Sequence, residues 1–342
     1  MEKQDYIWLC LLALVVAVLP LAIRNDYYIG VCVFAALNCL ACIGLSLLMG
    51  YAGQISLCHA AFIAIGAYSS AILTVKAGWS PWTAMGAGVG FTVIISLFVG
   101  VPSLRLKGHY LAMATLGFGS ILHIVSVAAV PLTGGPEGIN NIPHLNLLGL
   151  KLTTDKHWFY FGWSMAILGL YFALNLIHSR IGRGLRAIHG SEDAACSLGV
   201  NTAASKILIF IISAVYSSVA GSFYAYYVRY IDPGPFDIMH SILLVTMVAV
   251  GGMHTIWGAV IGSTILTLLP TFLSYVSEYF KEIGFEYTPD YDILLYGGIL
   301  LSIMLFLPDG LLDGINRLKN RLGRYVIYHK NNLMLDKTNI SG

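Results

Sequence analysis

The apolar positions of this chain gather into about ten long blocks, at 7–23, 29–49, 55–75, 84–101, 109–130, 158–178, 206–228, 240–253, 256–276 and 291–307. Roughly 20 apolar residues in helical form cross the ~30 Å hydrocarbon core of a bilayer. The pattern therefore predicts an all-α integral membrane protein of about ten transmembrane helices. Its separators are polar or rich in glycine and proline, such as Lys76–Pro81 and Asp232-Pro233-Gly234-Pro235. The first block reads as a transmembrane helix rather than a cleaved signal. Met1–Asp5 carries both charge signs, and no small-residue cleavage pattern follows Ile23.

Two blocks depart from a plain apolar run. Gly50-Tyr51-Ala52-Gly53-Gln54-Ile55-Ser56-Leu57 breaks the region between the second and third, and the short eighth block ends on Gly251-Gly252. Backbone groups freed by such breaks find no water in hydrocarbon, so a break is tolerated only inside a bundle or beside a polar cavity. Gly50, Gly53, Gly251 and Gly252 are the expected helix-breaking positions, with Gly53 supplying a sharp bend. Paired interrupted segments in corresponding places of two halves point to a central site between structural repeats, as in transporters.

Composition agrees with the pattern: of 342 residues 57% are hydrophobic and 11% charged, and the mean hydropathy is +0.77. Ordinary soluble domains carry about a quarter charged residues. A net charge of +2 gives no footing for nucleic-acid binding. Cys39 and Cys42 have a C-x-x-C spacing, but no second Cys/His pair stands at ligand spacing, and no metal or cofactor is expected. Lys/Arg asymmetry sets the orientation. With both termini cytoplasmic, Lys3, Arg105, Lys107, Arg180, Arg183, Arg186, Lys206 and the tail from Arg317 to Lys337 lie inside. Arg24, Lys76, Lys151, Lys156, Arg229 and Lys281 lie outside, about 13 against about 6. An even number of spans keeps both basic clusters on one side.

No Asp or Glu lies deep within any of the ten blocks, whereas ion-driven carriers keep an intramembrane acid as relay or ligand. His59, His123, His240 and His254 are isolated along the sequence. No G-x-x-x-x-G-K-[ST] phosphate loop is present, nor H-E-x-x-H or G-x-S-x-G, so no catalytic residue is expected. If transport is active, another polypeptide supplies the nucleotide chemistry. Ser179–Ser205 is the longest polar and basic stretch between blocks. Within it Ser191 is placed to cap a helix whose first turn holds Glu192 and Asp193. Ala194, Ala195 and Leu198 form an apolar stripe, and Gly199 ends the helix. A short surface helix with an exposed apolar face is a docking element.

The pattern Glu192, Ala194, Ala195, Gly199 resembles the coupling-helix motif of ABC importer permeases. It stands in register with Gly50–Tyr68, Arg105–Leu116, Leu132–Ile139, Gly251-Gly252 and Leu307-Pro308-Asp309-Gly310-Leu311. Together these resemble the branched-chain amino acid ABC transporter permeases, the M type more than the shorter H type, over roughly residues 30–315. Cys58, His189-Gly190, His254 and Ala259 depart from the usual pattern. The resemblance implies the ABC importer permease fold, with a transmembrane domain over 1–315 and a cytoplasmic polar tail over 316–342. It implies a cell-membrane location with membrane lipid around the bundle, a second permease subunit in a heterodimer, two cytoplasmic ATPase subunits and an extracytoplasmic solute-binding protein. The permease itself is then not an enzyme and holds no cofactor.

The implied cargo is a branched-chain or other hydrophobic amino acid moved by alternating access. A urea or short-amide permease is the nearest alternative, and an ion-coupled carrier a more distant one. A zwitterion needs donors, acceptors and an apolar surface. Gln54 and Ser56 near a helix start, Thr115, and the loop Thr133-Gly134-Gly135 are the candidates along the path. Arg183, Arg186, Glu192, Ala194, Ala195 and Gly199 are the candidates for coupling to the ATPase.

Overall fold

A computed structural model of the chain describes residues 3–23, 25–103, 106, 108–147, 149–282, 290–307, 310–311 and 314. Arg24, Arg105, Lys107, Glu286, Pro308, Asp309 and the tail 316–342 lie outside the described residues. Each of the ten apolar blocks is helical. They correspond to α1 (Lys3–Ala22), α2 (Asp26–Ser46), α3 (His59–Val75), α4 (Pro81–Ser103), α5 (His109–Ala128), α7 (Asp155–His178), α10 (Thr202–Val228), α11 (Ile238–Gly251), α12 (Ile256–Glu282) and α13 (Asp290–Phe306). Between them lie α6 (Val130–Thr133), α8 (Arg180–Gly190), α9 (Glu192–Ser197) and a two-residue hairpin, β1 (Asn146–Leu147) with β2 (Leu150–Lys151). A wide turn, Leu47–Tyr51, extends α2. Six of these helices are long and apolar enough to cross a membrane: α2 with that turn, α4, α5, α7, α10 and the Ile256–Ser277 part of α12.

The span of α2 is 83% buried and that of α5 is 17% buried, so α2 lies within the bundle and α5 at its rim. Helix α2 packs against α7, α10, α11 and α12, and α10 crosses α3 at close range. Without a hydrophobic drive between helices in lipid, such contacts rely on small residues and hydroxyls. A Cβ added at Gly66 would overlap the carbonyl of Ser218, and one at Gly221 the carbonyl of Ile63. Around that crossing, Ser70 donates to Ser222 Oγ at 2.9 Å, Thr92 donates to Ser218 Oγ at 2.8 Å, and Thr74 and Tyr226 share a hydrogen bond of 2.8 Å.

Helices α3 and α11 are among those that stop short of a full span. At 1.5 Å per residue, the 17 residues of α3 and the 14 of α11 reach about 25 Å and about 21 Å. Their first turns meet, with the Ala60 amide donating to Ser241 Oγ at 3.1 Å. Tyr68, two and a half turns further along α3, packs its ring on Phe236 just before α11, centroids 6.0 Å apart. The chain leading to α11 therefore descends beside α3, and α11 begins inside the bundle. From the other end, residues 53–58 run outside any helix to the start of α3.

The apolar pattern extended the third block back to Ile55, but α3 begins at His59. The reason is lateral bonding. The Leu57 amide donates to Thr115 Oγ1 at 3.0 Å, and the Gln54 amide to the Leu48 carbonyl at 3.2 Å. These amides are satisfied without a helical turn.

Candidate functional site

This non-helical segment joins three of the expected path residues. Thr115, fully buried on α5, accepts from Leu57 and donates to the Ala112 carbonyl at 3.0 Å. Ser56 is buried against Cys58, with Oγ and Sγ 3.2 Å apart. Gln54 is buried, and its Oε1 has no partner among the described residues. At the top of the segment His59 Nε2 meets Ser213 Oγ of α10 at 2.6 Å.

Gly50 and Gly53 make the break possible for different reasons. A Cβ on Gly50 would overlap the Met253 carbonyl oxygen, so the end of α2 needs bare backbone against the turn after α11. Gly53 has φ +65°, and a Cβ there would make only ordinary contact with the His189 ring at 3.5 Å. Its need for glycine is conformational. Gly251 packs on the Gly258 carbonyl, and Gly252, at φ +119°, leads into the turn to α12. Helix α11 therefore ends where the sequence placed a break, against the end of α2.

The polar stretch after α7 folds as two short helices. Ser179 caps α8, accepting from the amides of Ile181 and Gly182 at 3.1 and 3.4 Å. Ser191 caps α9, accepting from the Ala194 amide at 3.3 Å. Gly199, at φ +82°, closes α9, and the Val200 amide returns to the Ala195 carbonyl at 3.1 Å. Leu198 is 81% exposed and Ala194 is exposed. Ala195 is buried, so the expected stripe is split: one alanine anchors α9 to the bundle while Ala194 and Leu198 face outward.

The charged residues of this region first serve the chain's own structure. Arg183 Nη1 donates to the His178 carbonyl at 3.3 Å and Arg186 Nη2 to the Ile177 carbonyl at 3.0 Å. Both cations thus sit at the negative end of α7. Glu192 pairs with Lys206 of α10 at 2.7 Å, and Lys206 is buried. Neither role was legible, because the arginine contacts depend on how the chain turns from α7 into α8 and the ion pair on how α9 sits against α10. Lys206, at the fifth position of a long apolar helix, was the one signal in the sequence.

Around this pair lies a cavity of about 180 Å³, lined by Gly53, Gln54, Ile55, Leu111, His189, Glu192 and Lys206 among others. The break segment and the α8–α9 element thus share one cavity.

The remaining path candidates lie elsewhere. Thr133, the last residue of α6, donates to the carbonyls of Ser126 and Ala129 at 2.8 and 2.9 Å and accepts from the Gly135 amide at 3.1 Å. A Cβ on Gly134 would overlap the Gly138 carbonyl. Residue Ile139 pairs with Ile231, the chain that then descends to α11. Thr133-Gly134-Gly135 therefore belongs to the opposite end of the bundle from Gln54, and the structure does not bring the two groups together.

Sequence reasoning missed a second cavity, of about 190 Å³, between α2, α3, α10 and the approach to α11. Asn38 and His240 line it with Phe34 and Tyr224. An amide in the middle of the apolar run of α2 was the available signal.

A model of the family described as the permease component of branched-chain amino acid transport systems matches residues 27–304. The chain is 30% identical over 293 residues to the high-affinity branched-chain amino acid transport system permease protein LivM of Escherichia coli. That match covers 79% of this chain and 66% of the relative, so the chain spans just under two thirds of the relative's length. It is 26% identical over 295 residues to the permease protein LivH of the same system in Escherichia coli, covering 80% of this chain and 90% of that protein. The ribose import permease protein RbsC of Escherichia coli matches at 25% identity over 302 residues, 83% of this chain and 89% of that protein. No solved structure matches the chain.

Proposed function

The chain belongs to the family of permease components of branched-chain amino acid transport systems, and from that premise we propose that it is one transmembrane subunit of an ATP-driven importer of branched-chain and other hydrophobic amino acids. About ten membrane-embedded helices over residues 1–315, with α3 and α11 as broken ones, both termini cytoplasmic and a cytoplasmic tail over 316–342 complete the proposed topology in the cell membrane. The Lys/Arg distribution supports that orientation. A second permease completes the pathway, two ATPase subunits on the cytoplasmic side hydrolyse ATP, and an external binding protein delivers the solute. The homologous chains are transport permeases and not enzymes.

One observation carries the mechanism: the α8–α9 element, with Leu198 exposed, shares a cavity with the non-helical segment that positions the start of α3. When the ATPase subunits close, α9 moves with them. The Glu192–Lys206 pair passes that displacement to α10, and His189 passes it to Gly53 and the segment leading to α3. Helices α3 and α11, joined at Ala60 and Ser241, then shift at the level where neither spans fully. Reversing a two-state bias from 1:99 to 99:1 takes about 5.5 kcal/mol of differential binding, a demand that ATP binding at two sites can meet. Gln54, Ser56 and Thr115 lie along the inner part of the route, and Thr133-Gly134-Gly135 at its outer end.

The test is uptake of leucine into vesicles holding the complete complex. Uptake should require the binding protein outside and ATP inside, and should stop with vanadate. Leucine entry without nucleotide, driven by an ion gradient or by concentration alone, would place the chain among carriers or channels.

A further inference from the structure

We infer that the cavity of about 190 Å³ between α2, α3, α10 and the approach to α11 is a subsite for the transported solute, and that Ala220 and Ile63 set the largest side chain it admits. The inference rests on the proposed transport function and adds to it a place and a size limit. In the measure by which one water takes roughly 10–15 Å³, this cavity holds far more than one water. It is also below the roughly 300–1,000 Å³ of pockets for drug-sized molecules. It suits a small solute.

The walls give the chemistry. Phe34 and Tyr224, ring centroids 6.1 Å apart, with Ile63 and Ala220, form an apolar surface. Two polar groups interrupt it. Asn38 donates through Nδ2 to Thr267 Oγ1 of α12 at 3.1 Å, which fixes the amide and leaves Oδ1 without a hydrogen-bond partner among the described residues. The His240 ring has no hydrogen-bond partner among the described residues, while its backbone amide is taken by Asp237 Oδ1 at 2.9 Å. Unpaired polar groups inside a bundle are costly unless water or a ligand completes them. An α-amino acid with an aliphatic side chain matches that set. Its ammonium donates to Asn38 Oδ1, its carboxylate accepts from the His240 ring, and its side chain lies on Ile63 and Ala220. The cavity also adjoins the place where α3 and α11 begin, so the motion proposed for transport would change its shape.

Two substitutions of opposite sign test the size limit in vesicles holding the complete complex, with alanine, leucine and phenylalanine as probes. Ala220→Leu fills the cavity and should lower leucine uptake relative to alanine by roughly 10-fold or more, the discrimination that a few methylenes give. Ile63→Ala enlarges it and should raise phenylalanine uptake relative to alanine. If Ala220→Leu fails to assemble, Ile63→Ala alone decides. For the polar end, His240→Leu should raise KM for all three probes and His240→Gln should restore it. Unchanged ratios in assembled variants overturn the subsite and leave the transport function standing. A wild-type complex that moves none of the three overturns both.

Discussion

Replacing one member of the Glu192–Lys206 pair should be far worse than replacing the other. Lys206 is 8% exposed and its ammonium lies 2.7 Å from Glu192 Oε2. The Glu192 side chain keeps 31% of its exposure and stands in the first turn of α9. Glu192→Gln leaves a buried ammonium facing a neutral amide, a change that costs about 3–5 kcal/mol in a fully buried pair. The lysine stem can carry its charge partway to the surface, which reduces the loss to about 2 kcal/mol, on the order of 30-fold in the folded fraction. Lys206→Met instead removes the buried charge. It leaves a carboxylate that water and the positive end of α9 still stabilise, at a cost of about 0–1 kcal/mol. The double variant should therefore be more stable than Glu192→Gln alone. Denaturant unfolding of the purified permease in detergent, run for both single variants and the double, gives this cycle directly. The coupling should change little between low and high salt, because a largely buried pair is weakly screened. Equal losses in the two single variants, or no recovery in the double, would refute the buried-pair account.

Gly66→Ala should loosen the crossing of α3 and α10, because its Cβ meets the Ser218 carbonyl; the expected loss is about 1–3 kcal/mol, read as a lower melting temperature. Gly53→Val should abolish leucine uptake while leaving membrane insertion largely intact, since a β-branched residue at φ +65° carries about 1–3 kcal/mol of strain; wild-type uptake would show that the bend is dispensable. Gly199 has open space around its missing Cβ, so Gly199→Asp should insert and fold, yet weaken ATPase association or solute-stimulated hydrolysis; wild-type values of both would remove α9 from the coupling route. A reporter fused after Arg324 or inserted near Ser191 should be cytoplasmic and one near Glu282 external, and an external tail would require an odd number of spans.

The sequence by itself determined the membrane class, because hydrocarbon demands long apolar helices and the chain writes them out in blocks. It also placed the local devices that act within a few residues: the Ser191 cap, the Gly199 stop, and the breaks at Gly53 and Gly252. The family was legible too, since motifs such as Glu192-x-Ala194-Ala195 keep their order along the chain.

Only the tertiary structure decided where those breaks lie relative to one another. The start of α3 at His59 follows from Thr115, 58 positions away from Leu57, and no local periodicity carries that bond. The same holds for Ala60 with Ser241 and for Glu192 with Lys206. Arg183 and Arg186 stand in the sequence as coupling candidates on a polar stretch, and only the fold shows the carbonyls at the end of α7 that hold them. Helix-forming residues are set by spacing of a few positions and by the solvent around them. Cavities and ion pairs depend on which helices cross, and that is settled by small-residue contacts such as Gly66 with Ser218 and Gly221 with Ile63.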